Sequence, residues 1–270
     1  MKNIFIEGLQ GSGKSTLLEQ LSRELPESHI CREGDYSPID LAWCARMTEG
    51  EYRHTLSRYH SIREEIISNT IRENDHYIVT YTKILTDIPN FHRELESFEI
   101  YNGRKLLKDF QEIALSRYGS FSGTGYLFEC SFFQNILEEL ILFHELSDQE
   151  IMEFYRKLYD TIDREHFLLL YLYSEKLEEQ IKIIKGERSD YQGNELWYPM
   201  MLQYLASSPY GKRHGYQGFD DMAEHFRHRQ QLELRIIDEI IGDQALVFPA
   251  KSPLSPMVER IKHSLALPLA

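Results

Sequence analysis

Short apolar runs alternate with longer segments of helical periodicity along most of the chain. The apolar runs predict strands over residues 3–7, around Ile30, and over residues 76–84, 125–130, 167–173 and 245–248. Apolar residues spaced by three or four positions predict helices over residues 15–25, 39–47, 51–72, 106–118, 132–142, 147–162, 175–185, 220–241 and 256–265. Because strands that alternate with helices favour parallel pairing, we expect a three-layer α/β fold, with a parallel sheet of about five strands and helices on both faces.

The stretch over residues 186–218 departs from this alternation. It mixes charged residues with several glycines and with Pro199 and Pro209. Proline and glycine interrupt regular structure, so we expect a mobile lid with one short helix inside it. No linker stands out by its composition, and residues 1–270 are therefore predicted to form a single domain.

Composition and charge exclude several classes of protein. The 270 residues carry a formal net charge of −13, which repels polyphosphate, so we expect no nucleic-acid polymer as a partner. The three cysteines are scattered, which argues against a disulfide framework or a structural zinc site and favours a reduced, cytoplasmic protein. The chain has no long apolar run and no recognisable signal peptide, so we expect no association with a membrane.

One motif carries specific chemistry. Residues 8–15 read GLQGSGKS and match the pattern G-x-x-x-x-G-K-[ST] at every fixed position, between a predicted strand and a predicted helix. Glycines let such a loop wrap closely round phosphate with its main-chain N–H groups directed inward, and the positive end of the following helix adds to the attraction. We expect the nucleotide contacts to come from Gly8, Gly11, Ser12, Gly13, Lys14, Ser15 and Thr16.

The motif predicts a bound nucleoside triphosphate. Lys14 would reach the β- and γ-phosphates, and the Ser15 hydroxyl would ligate Mg²⁺. The structural alternative, a glycine-rich turn with a lone lysine, is disfavoured by the strand–loop–helix context. The chain has no Asn-Lys-x-Asp motif that would read guanine, which disfavours a GTPase. The reaction is a separate question, because one fold hosts many functions.

The same segments resemble a known group of enzymes. FIEGLQGSGKSTLL, over residues 5–18, is similar to the start of the deoxyribonucleoside kinases and the related thymidylate kinases. Arg32-Glu33 is similar to the Glu-Pro or Arg-Glu-Pro step that follows their second strand, and Trp43 lies where the nucleoside kinases have a tryptophan. The resemblance continues through YLFECSFFQN, over residues 126–135, and through the strand and helix over residues 169–188.

The resemblance covers most of residues 1–190 and implies a P-loop NTPase fold and an ATP-dependent transfer of phosphate to a small acceptor. Only the phosphate loop is specific on its own. The family's Arg in its Glu-Arg-Ser or Asp-Arg-Ser step, which helps to hold the acceptor, is Cys130 here. Residues 51–72 contain no Gln to read a base edge, and roughly the segment 75–124 is extra or diverged.

Four acidic or aromatic residues are candidates for the acceptor site. Glu33 would aim and deprotonate the attacking hydroxyl, although a carboxylate in an EGD sequence is also good turn chemistry. Asp35 is the second choice for this role. Tyr36 and Trp43 would line the acceptor pocket, Trp43 on the strength of the resemblance.

Three more residues are candidates on the nucleotide side. Glu129 ends an apolar strand, where the magnesium-binding acid of such enzymes is expected; otherwise it is a satisfied carboxylate at a strand end. Arg188 would close over the transferring phosphoryl group with the lid, and Lys185 would contact the nucleotide beside it. The structural alternative for both cations is a solvated helix end.

Together these features favour a cytoplasmic kinase that moves the γ-phosphoryl group of Mg-ATP to a small molecule. A modified nucleoside, a nucleotide and an antibiotic-like alcohol all remain open as the acceptor. A homodimer is a further expectation, because kinases of this group often pair through helices beside the sheet. The alternative is a nucleotide-binding regulatory or scaffold protein that has lost transfer activity, and Cys130 in place of Arg is its main support.

Overall fold

The computed structural model describes residues 1–190 and 192–266. Residue 266 is described by its backbone alone. Tyr191, inside the predicted lid, and residues 267–270 lie outside the described residues. The chain divides into two compact units. We call residues 1–30 together with the chain from Ser122 onward the sheet unit, and Cys31–Phe121 the inserted unit. The prediction of a single domain stays a prediction, because two compact units can belong to one domain.

Eight strands and twelve α-helices are found in the described chain. The strands are β1 Asn3–Gly8, β2 His29–Cys31, β3 Ala45–Thr48, β4 Thr70–Glu73, β5 His76–Val79, β6 Tyr126–Glu129, β7 Phe167–Tyr173 and β8 Ala245–Pro249. The helices are α1 Lys14–Glu24, α2 Glu49–Arg58, α3 Arg63–Ser68, α4 Phe91–Glu96, α5 Leu107–Ser120, α6 Gln134–Glu138, α7 Asp148–Thr161, α8 Leu177–Glu187, α9 Trp197–Ser207, α10 Pro209–His214, α11 Phe219–Ile236 and α12 Leu254–Ala266.

The sheet unit is built on a five-stranded sheet with the strand order β2-β6-β1-β7-β8. Strand β1 pairs in parallel with β6, where Ile4 lies opposite Leu127, and with β7, where Ile4 lies opposite Leu168. Strand β7 in turn pairs in parallel with β8. The expectation of an α/β fold with a parallel sheet of this size is therefore confirmed.

Alternating side chains of the central strands supply both faces of this sheet. On one face, Ile4 and Ile6 pack in a cluster with Leu17 of α1 and Ile261 of α12. On the other face, the ring of Phe5 lies 5.0 Å from that of Phe128 and 4.8 Å from that of Phe167. The Phe132 ring extends this aromatic layer to Tyr155 of α7, at 5.5 Å. Helices thus cover the sheet on both faces, as a near-continuous apolar strand requires.

The inserted unit has its own small antiparallel sheet, in the order β3-β5-β4, with Ala45 and Thr70 both paired to Val79. Its core contains side chains from the sheet, α2, α3 and α4, among them Met47, Leu56, Ile66 and Phe91. The inserted unit thus has a hydrophobic cluster of its own.

The prediction of a helix over residues 39–47 is wrong. The carboxylate of Asp40 accepts a hydrogen bond from the Ala42 N–H at 3.2 Å, and Trp43 has a left-handed backbone with φ 63°. Both features form a turn instead of a helix, since a side chain that bonds the nearby backbone competes with helical hydrogen bonds. Residues 45–48 then pair with β5 as a strand.

The single helix predicted over residues 51–72 is divided into α2, a short turn, α3 and β4. Helix α3 ends at Ser68, and the C-cap residue Asn69 donates its side-chain amide to the Glu65 carbonyl at 2.9 Å. The strand predicted over residues 76–84 ends earlier, at Val79. The hairpin β4–β5 explains the first error, because tertiary pairing overrides the local helical period. A 3₁₀ helix over Tyr81–Lys83 follows the shortened strand.

The segment 186–218 contains two helices, α9 and α10, where one short helix was predicted. Pro209 is the first residue of α10, and Ser208 caps that helix by accepting from the Gly211 N–H at 2.9 Å. Proline at a helix start is favourable because the missing N–H has no helical partner there. The prolines that suggested irregular structure therefore lie at helix starts, and the role of this segment as a lid stays a prediction.

Candidate functional site

The loop between β1 and α1 lies at the carboxyl end of the central strand. Strands β2 and β6 lie on one side of β1, and β7 and β8 lie on the other, so the chain changes side at β1. In open parallel sheets, ligands bind at the carboxyl ends of the strands where such a change occurs. The predicted phosphate loop, residues 8–15, is therefore at the position of the sheet where a ligand site is expected.

Two glycines of the loop have conformations that other residues rarely adopt. Gly8 has φ 139°, and a Cβ added there would come 2.4 Å from the main-chain oxygen of Leu172 in β7. Gly13, which precedes the first residue of α1, has φ 102° and faces open space. The loop thus needs Gly8 for a close backbone approach and Gly13 for a backbone turn.

Lys14 is buried, with 7% of its surface exposed. Its ammonium group donates to the carbonyl oxygens of Gly8 at 2.8 Å and Leu9 at 3.0 Å. It also donates to the side-chain oxygen Oε1 of Gln134, at 3.2 Å, which belongs to the first residue of α6. The lysine side chain is therefore folded along the loop, where a phosphate chain bound by the loop would lie.

Ser15 and Glu129 are brought together from positions far apart in the sequence. The Ser15 hydroxyl donates to Oε1 of Glu129 at 2.5 Å, and Glu129 is buried at the end of β6. Thr16 follows Ser15 in the first turn of α1 and has an exposed side chain. A hydroxyl and a carboxylate oxygen side by side are the ligand types that Mg²⁺ prefers.

The loop also holds a buried hydroxyl. Ser12 is 1% exposed, and its Oγ has no hydrogen-bond partner within residues 1–190 and 192–266. The backbone around it is ordered, since the Ser12 N–H donates to the Leu9 carbonyl at 3.2 Å and the Ser12 carbonyl accepts from the Lys251 N–H at 3.3 Å. A buried donor without an acceptor is costly, and a phosphate oxygen in the loop would satisfy it.

These observations fit Mg²⁺ and a triphosphate better than a metal held by protein alone. The part of the chain that the structure describes contains no group of three or more His, Cys, Asp or Glu side chains able to hold a metal ion. Ser15 and Glu129 offer only part of an octahedral shell, and Mg²⁺ commonly completes such a shell with phosphate oxygens and water.

Helix α8 packs against the phosphate loop. The Gln180 side-chain amide donates to the Gln10 carbonyl at 2.8 Å, and Ile184 covers Gly11, where an added Cβ would come 2.2 Å from Cγ1. Lys185 and Arg188, the two cations predicted for the lid, lie at the carboxyl end of this helix. The same helix thus carries contacts to the loop and the residues predicted to close over it.

The two cations contact the segment that follows α8. Lys185 forms an ion pair with Glu195 at 3.1 Å, and its ammonium lies 4.3 Å from the centre of the Tyr198 ring. The Arg188 guanidinium lies 5.9 Å from the centre of the Trp197 ring. The predicted contact of these cations with phosphate stays a prediction.

The four acceptor candidates all belong to the inserted unit. Trp43 is 45% exposed, and its indole Nε1 donates to Oε1 of Glu33 at 3.2 Å. Asp35 pairs with Lys83 and accepts from the Arg32 N–H at 2.9 Å. The structure thus brings Glu33 and Trp43 together and gives Asp35 a cationic partner.

Tyr36, the fourth candidate, donates its hydroxyl to Glu73, which also pairs with Arg117. Burial, followed by this bond to Glu73, raises the pKa of Tyr36 to about 12. The phenol is therefore neutral at physiological pH and acts as a hydrogen-bond donor.

Cys130 directly follows Glu129 and is 1% exposed. Its backbone has φ 60°, a left-handed conformation that is uncommon outside glycine, and its Sγ donates to Oε1 of Gln134 at 3.5 Å. Where the resemblance has an arginine, this chain has a small buried thiol. This position therefore supplies no cation to an acceptor.

Two residues of this site were missed from the sequence. Glu7, the last residue before Gly8, is fully buried and accepts from the N–H groups of Phe132 at 2.6 Å and Gln134 at 3.4 Å. Burial raises the pKa of Glu7 to about 8, against the opposing effects of the Phe132 N–H and the Lys14 charge. An acidic residue inside the apolar run NIFIE was the signal that could have identified Glu7. Gln134 gave no such signal, because its contact with Lys14 joins distant parts of the sequence.

A buried polar network lies in the same unit. Glu138 contacts His225 Nε2 at 2.8 Å and pairs with Arg229, and Arg229 Nε lies 3.0 Å from Oε1 of Glu233. The Tyr171 hydroxyl donates to Glu233. Burial alone would raise the pKa of Glu138, but His225 and Arg229 together lower it to about 2, whereas burial keeps the pKa of Glu233 above its ordinary value.

The comparisons with known proteins add no family. No protein-family model matches the chain, and no curated protein matches it significantly. Among the described residues, no helix is long and apolar enough to cross a membrane.

Proposed function

We propose that the protein is an ATP-dependent kinase with a P-loop NTPase fold, which transfers the γ-phosphoryl group of Mg-ATP to a small-molecule acceptor. The observation that carries the proposal is the 2.5 Å contact between Ser15 and Glu129, with Lys14 one residue away in the same loop. A glycine-rich turn of purely structural use needs neither a buried lysine nor a carboxylate beside its serine.

Each residue of the loop would make a different contact with the bound nucleotide or its metal ion. Main-chain N–H groups of residues 8–15 and the start of α1 would hold the phosphate oxygens, and Ser12 would donate its hydroxyl to one of them. Lys14 would neutralise charge on the β- and γ-phosphates. Ser15 and Glu129 would hold Mg²⁺, which supplies further charge neutralisation when bound.

The acceptor end of the reaction is proposed for the four candidates of the inserted unit. Glu33 would take the proton of the attacking hydroxyl, and Trp43 would offer a flat surface to the acceptor. Asp35 and Tyr36 would complete that site, and Arg188, with Lys185, would close over the phosphoryl group from the end of α8. The proposal includes a homodimer and a reduced cytoplasmic location, where the buried thiols of Cys31, Cys44 and Cys130 would stay reduced.

Calorimetry with Mg-ATP tests the proposal directly. We expect Lys14→Met to lower the affinity for Mg-ATP by at least about a hundred-fold, because a buried cation that contacts two phosphates contributes strongly. Lys157→Ala, an exposed lysine on α7, is the matched control and should bind as the wild type does. Folded wild-type protein that takes up neither Mg-ATP nor another magnesium nucleoside triphosphate would show the proposal to be wrong.

A regulatory or scaffold protein that binds ATP without transfer is the second candidate. The buried thiol of Cys130, in place of a cation, is the observation that favours it. Transfer of labelled γ-phosphate to any member of an acceptor panel, lost in Lys14→Met, supports the kinase. Tight binding of Mg-ATP with no turnover over nucleosides, nucleotides and amino-alcohol antibiotics supports the regulatory protein instead.

A further inference from the structure

The three acceptors round Lys14 differ in origin. Two are main-chain oxygens of the loop itself, from Gly8 at 2.8 Å and Leu9 at 3.0 Å. The third is the side-chain oxygen of Gln134, at 3.2 Å, contributed by a different element that is 120 residues away in sequence. An ammonium group has three N–H donors, so all of them have partners in this arrangement.

Gln134 is itself held in place. It is 6% exposed, and its main-chain N–H donates to Glu7, the residue that leads into the loop. Its side-chain oxygen also accepts from Cys130 Sγ at 3.5 Å, and the neighbouring Asn135 side chain donates to the Cys130 carbonyl at 3.0 Å. The amide oxygen is therefore fixed beside the lysine by contacts at both its backbone and its side chain.

A phosphate oxygen that binds Lys14 has to replace one of these three acceptors. The two carbonyl oxygens are part of the loop, and the Leu9 carbonyl is further fixed by the Ser12 N–H at 3.2 Å. The Gln134 contact is the longest of the three and is made by a neutral amide. A charged phosphate oxygen forms a stronger bond to an ammonium group than this amide does.

We infer that Gln134 is a positioning residue that holds Lys14 in the loop before a triphosphate binds and competes with phosphate for the ammonium group. This inference rests on the proposed function. The bond to Gln134 stabilises the nucleotide-free state and is given up on binding, so it lowers the affinity of the site for Mg-ATP.

Two substitutions at Gln134 should change the affinity in opposite directions. Gln134→Leu keeps the approximate volume but removes the acceptor, so we expect Mg-ATP to bind roughly three- to ten-fold more tightly. Gln134→Glu places a carboxylate beside Lys14, and the resulting ion pair should weaken binding by at least about ten-fold. Calorimetry measures both affinities, with Gln149→Leu on the exposed side of α7 as the control.

A purely structural role for Gln134 predicts something different. Loss of packing or order round the loop would weaken Mg-ATP binding in Gln134→Leu as well as in Gln134→Glu, and that result would overturn the inference. If Gln134→Leu does not fold, Gln134→Asn replaces it, because its shorter side chain withdraws the oxygen but keeps the site polar. Tighter binding by Gln134→Asn supports the inference, and weaker or unchanged binding overturns it.

A double-mutant cycle on unfolding, without nucleotide, separates this inference from the proposed function. The effects of Lys14→Met and Gln134→Leu on the free energy of unfolding should not add up in the double variant. Once Lys14 is replaced, Gln134 has no ammonium group to bind. Additive effects would overturn the inference even if the protein binds Mg-ATP. A wild-type protein that fails to bind Mg-ATP would overturn the proposed function and the competition with phosphate, while the cycle still decides whether Gln134 holds Lys14.

Discussion

Gly8 and Gly13 show how two identical residues in one loop meet different constraints. Gly8 is confined by a neighbouring strand, because a Cβ would lie 2.4 Å from a main-chain oxygen that cannot rotate away. Gly13 is limited only by its backbone angle, φ 102°, with open space where a Cβ would be. The first constraint arises from packing between β1 and β7, and the second from the turn into α1 alone.

This difference predicts unequal costs for two alanine substitutions. Gly13→Ala should destabilise the protein by about 1–2 kcal/mol, the strain of a positive φ in a residue with a Cβ. Gly8→Ala adds a clash with the backbone and should cost more than about 3 kcal/mol. Urea unfolding without nucleotide measures both values. Equal losses of stability would contradict the packing explanation, since both variants share the strain.

The residues of the loop could be predicted from the sequence because their relation is local. Residues 8–15 form one continuous motif, and Glu129 is a candidate because ligands bind where the strands of such sheets end. Gln134 could not be found in this way. Its contact with Lys14 depends on how the segment after β6 is held by Glu7, which no local pattern specifies.

At the scale of elements, capping residues in the sequence locate helices better than the spacing of apolar residues does. Ser147 caps α7, with its Oγ accepting from the Glu150 N–H while the Glu150 carboxylate accepts from the Ser147 N–H at 2.8 Å. The spacing Ser-x-x-Glu is typical of such a helix start, and the helix predicted over residues 147–162 begins there. The apolar spacing over residues 39–47 was misleading, because the Asp40 turn and pairing with β5 determine the structure there.

The cap of α7 gives a prediction at this scale. Ser147→Ala should cost about 1 kcal/mol of the free energy of unfolding, since it removes the hydroxyl that satisfies a helix N–H. Ser22→Ala in α1 is the matched control. The Ser22 hydroxyl donates to the Glu19 carbonyl inside the helix, at 2.8 Å, and alanine there should change stability by less than about 0.5 kcal/mol. Thermal or urea unfolding compares the two, and a similar effect of both would argue against the cap.

Over the whole molecule, the least expected feature is the number of buried ionisable side chains in the sheet unit. Glu7 of β1 and Glu138, Arg229 and Glu233 on the helices are all nearly or fully buried. Alternating apolar residues predicted the sheet and its covering helices, because burial of apolar side chains drives both. The same pattern could not predict which polar residues would enter the core, since a buried charge depends on partners from several elements.

These buried acids should shape the dependence of stability on pH. Glu7 has a pKa of about 8 in the folded protein, raised by burial from an ordinary value of 4.5. The folded state therefore binds a proton at Glu7 that the unfolded state has released, and Glu7 lowers stability progressively as the pH rises from about 4.5 to about 8. Glu138 acts in the opposite sense, because its lowered pKa contributes stability that is lost as the pH falls below about 4.5.

Glu7→Gln isolates the first of these effects. The amide cannot ionise, so the variant should gain stability relative to the wild type as the pH rises from 5 to 8, by an amount on the order of a few kcal/mol. Loss of one carboxylate oxygen as an acceptor for the Gln134 N–H adds an offset that does not depend on pH. Urea unfolding at several pH values measures the difference between the two proteins, with Glu179→Gln at an exposed position as the control. If the difference in free energy of unfolding between the two proteins stays constant over this pH range, Glu7 is ionised in the folded protein. The charge of Lys14 and the N–H groups of residues 132 and 134 would then be sufficient to stabilise the buried carboxylate.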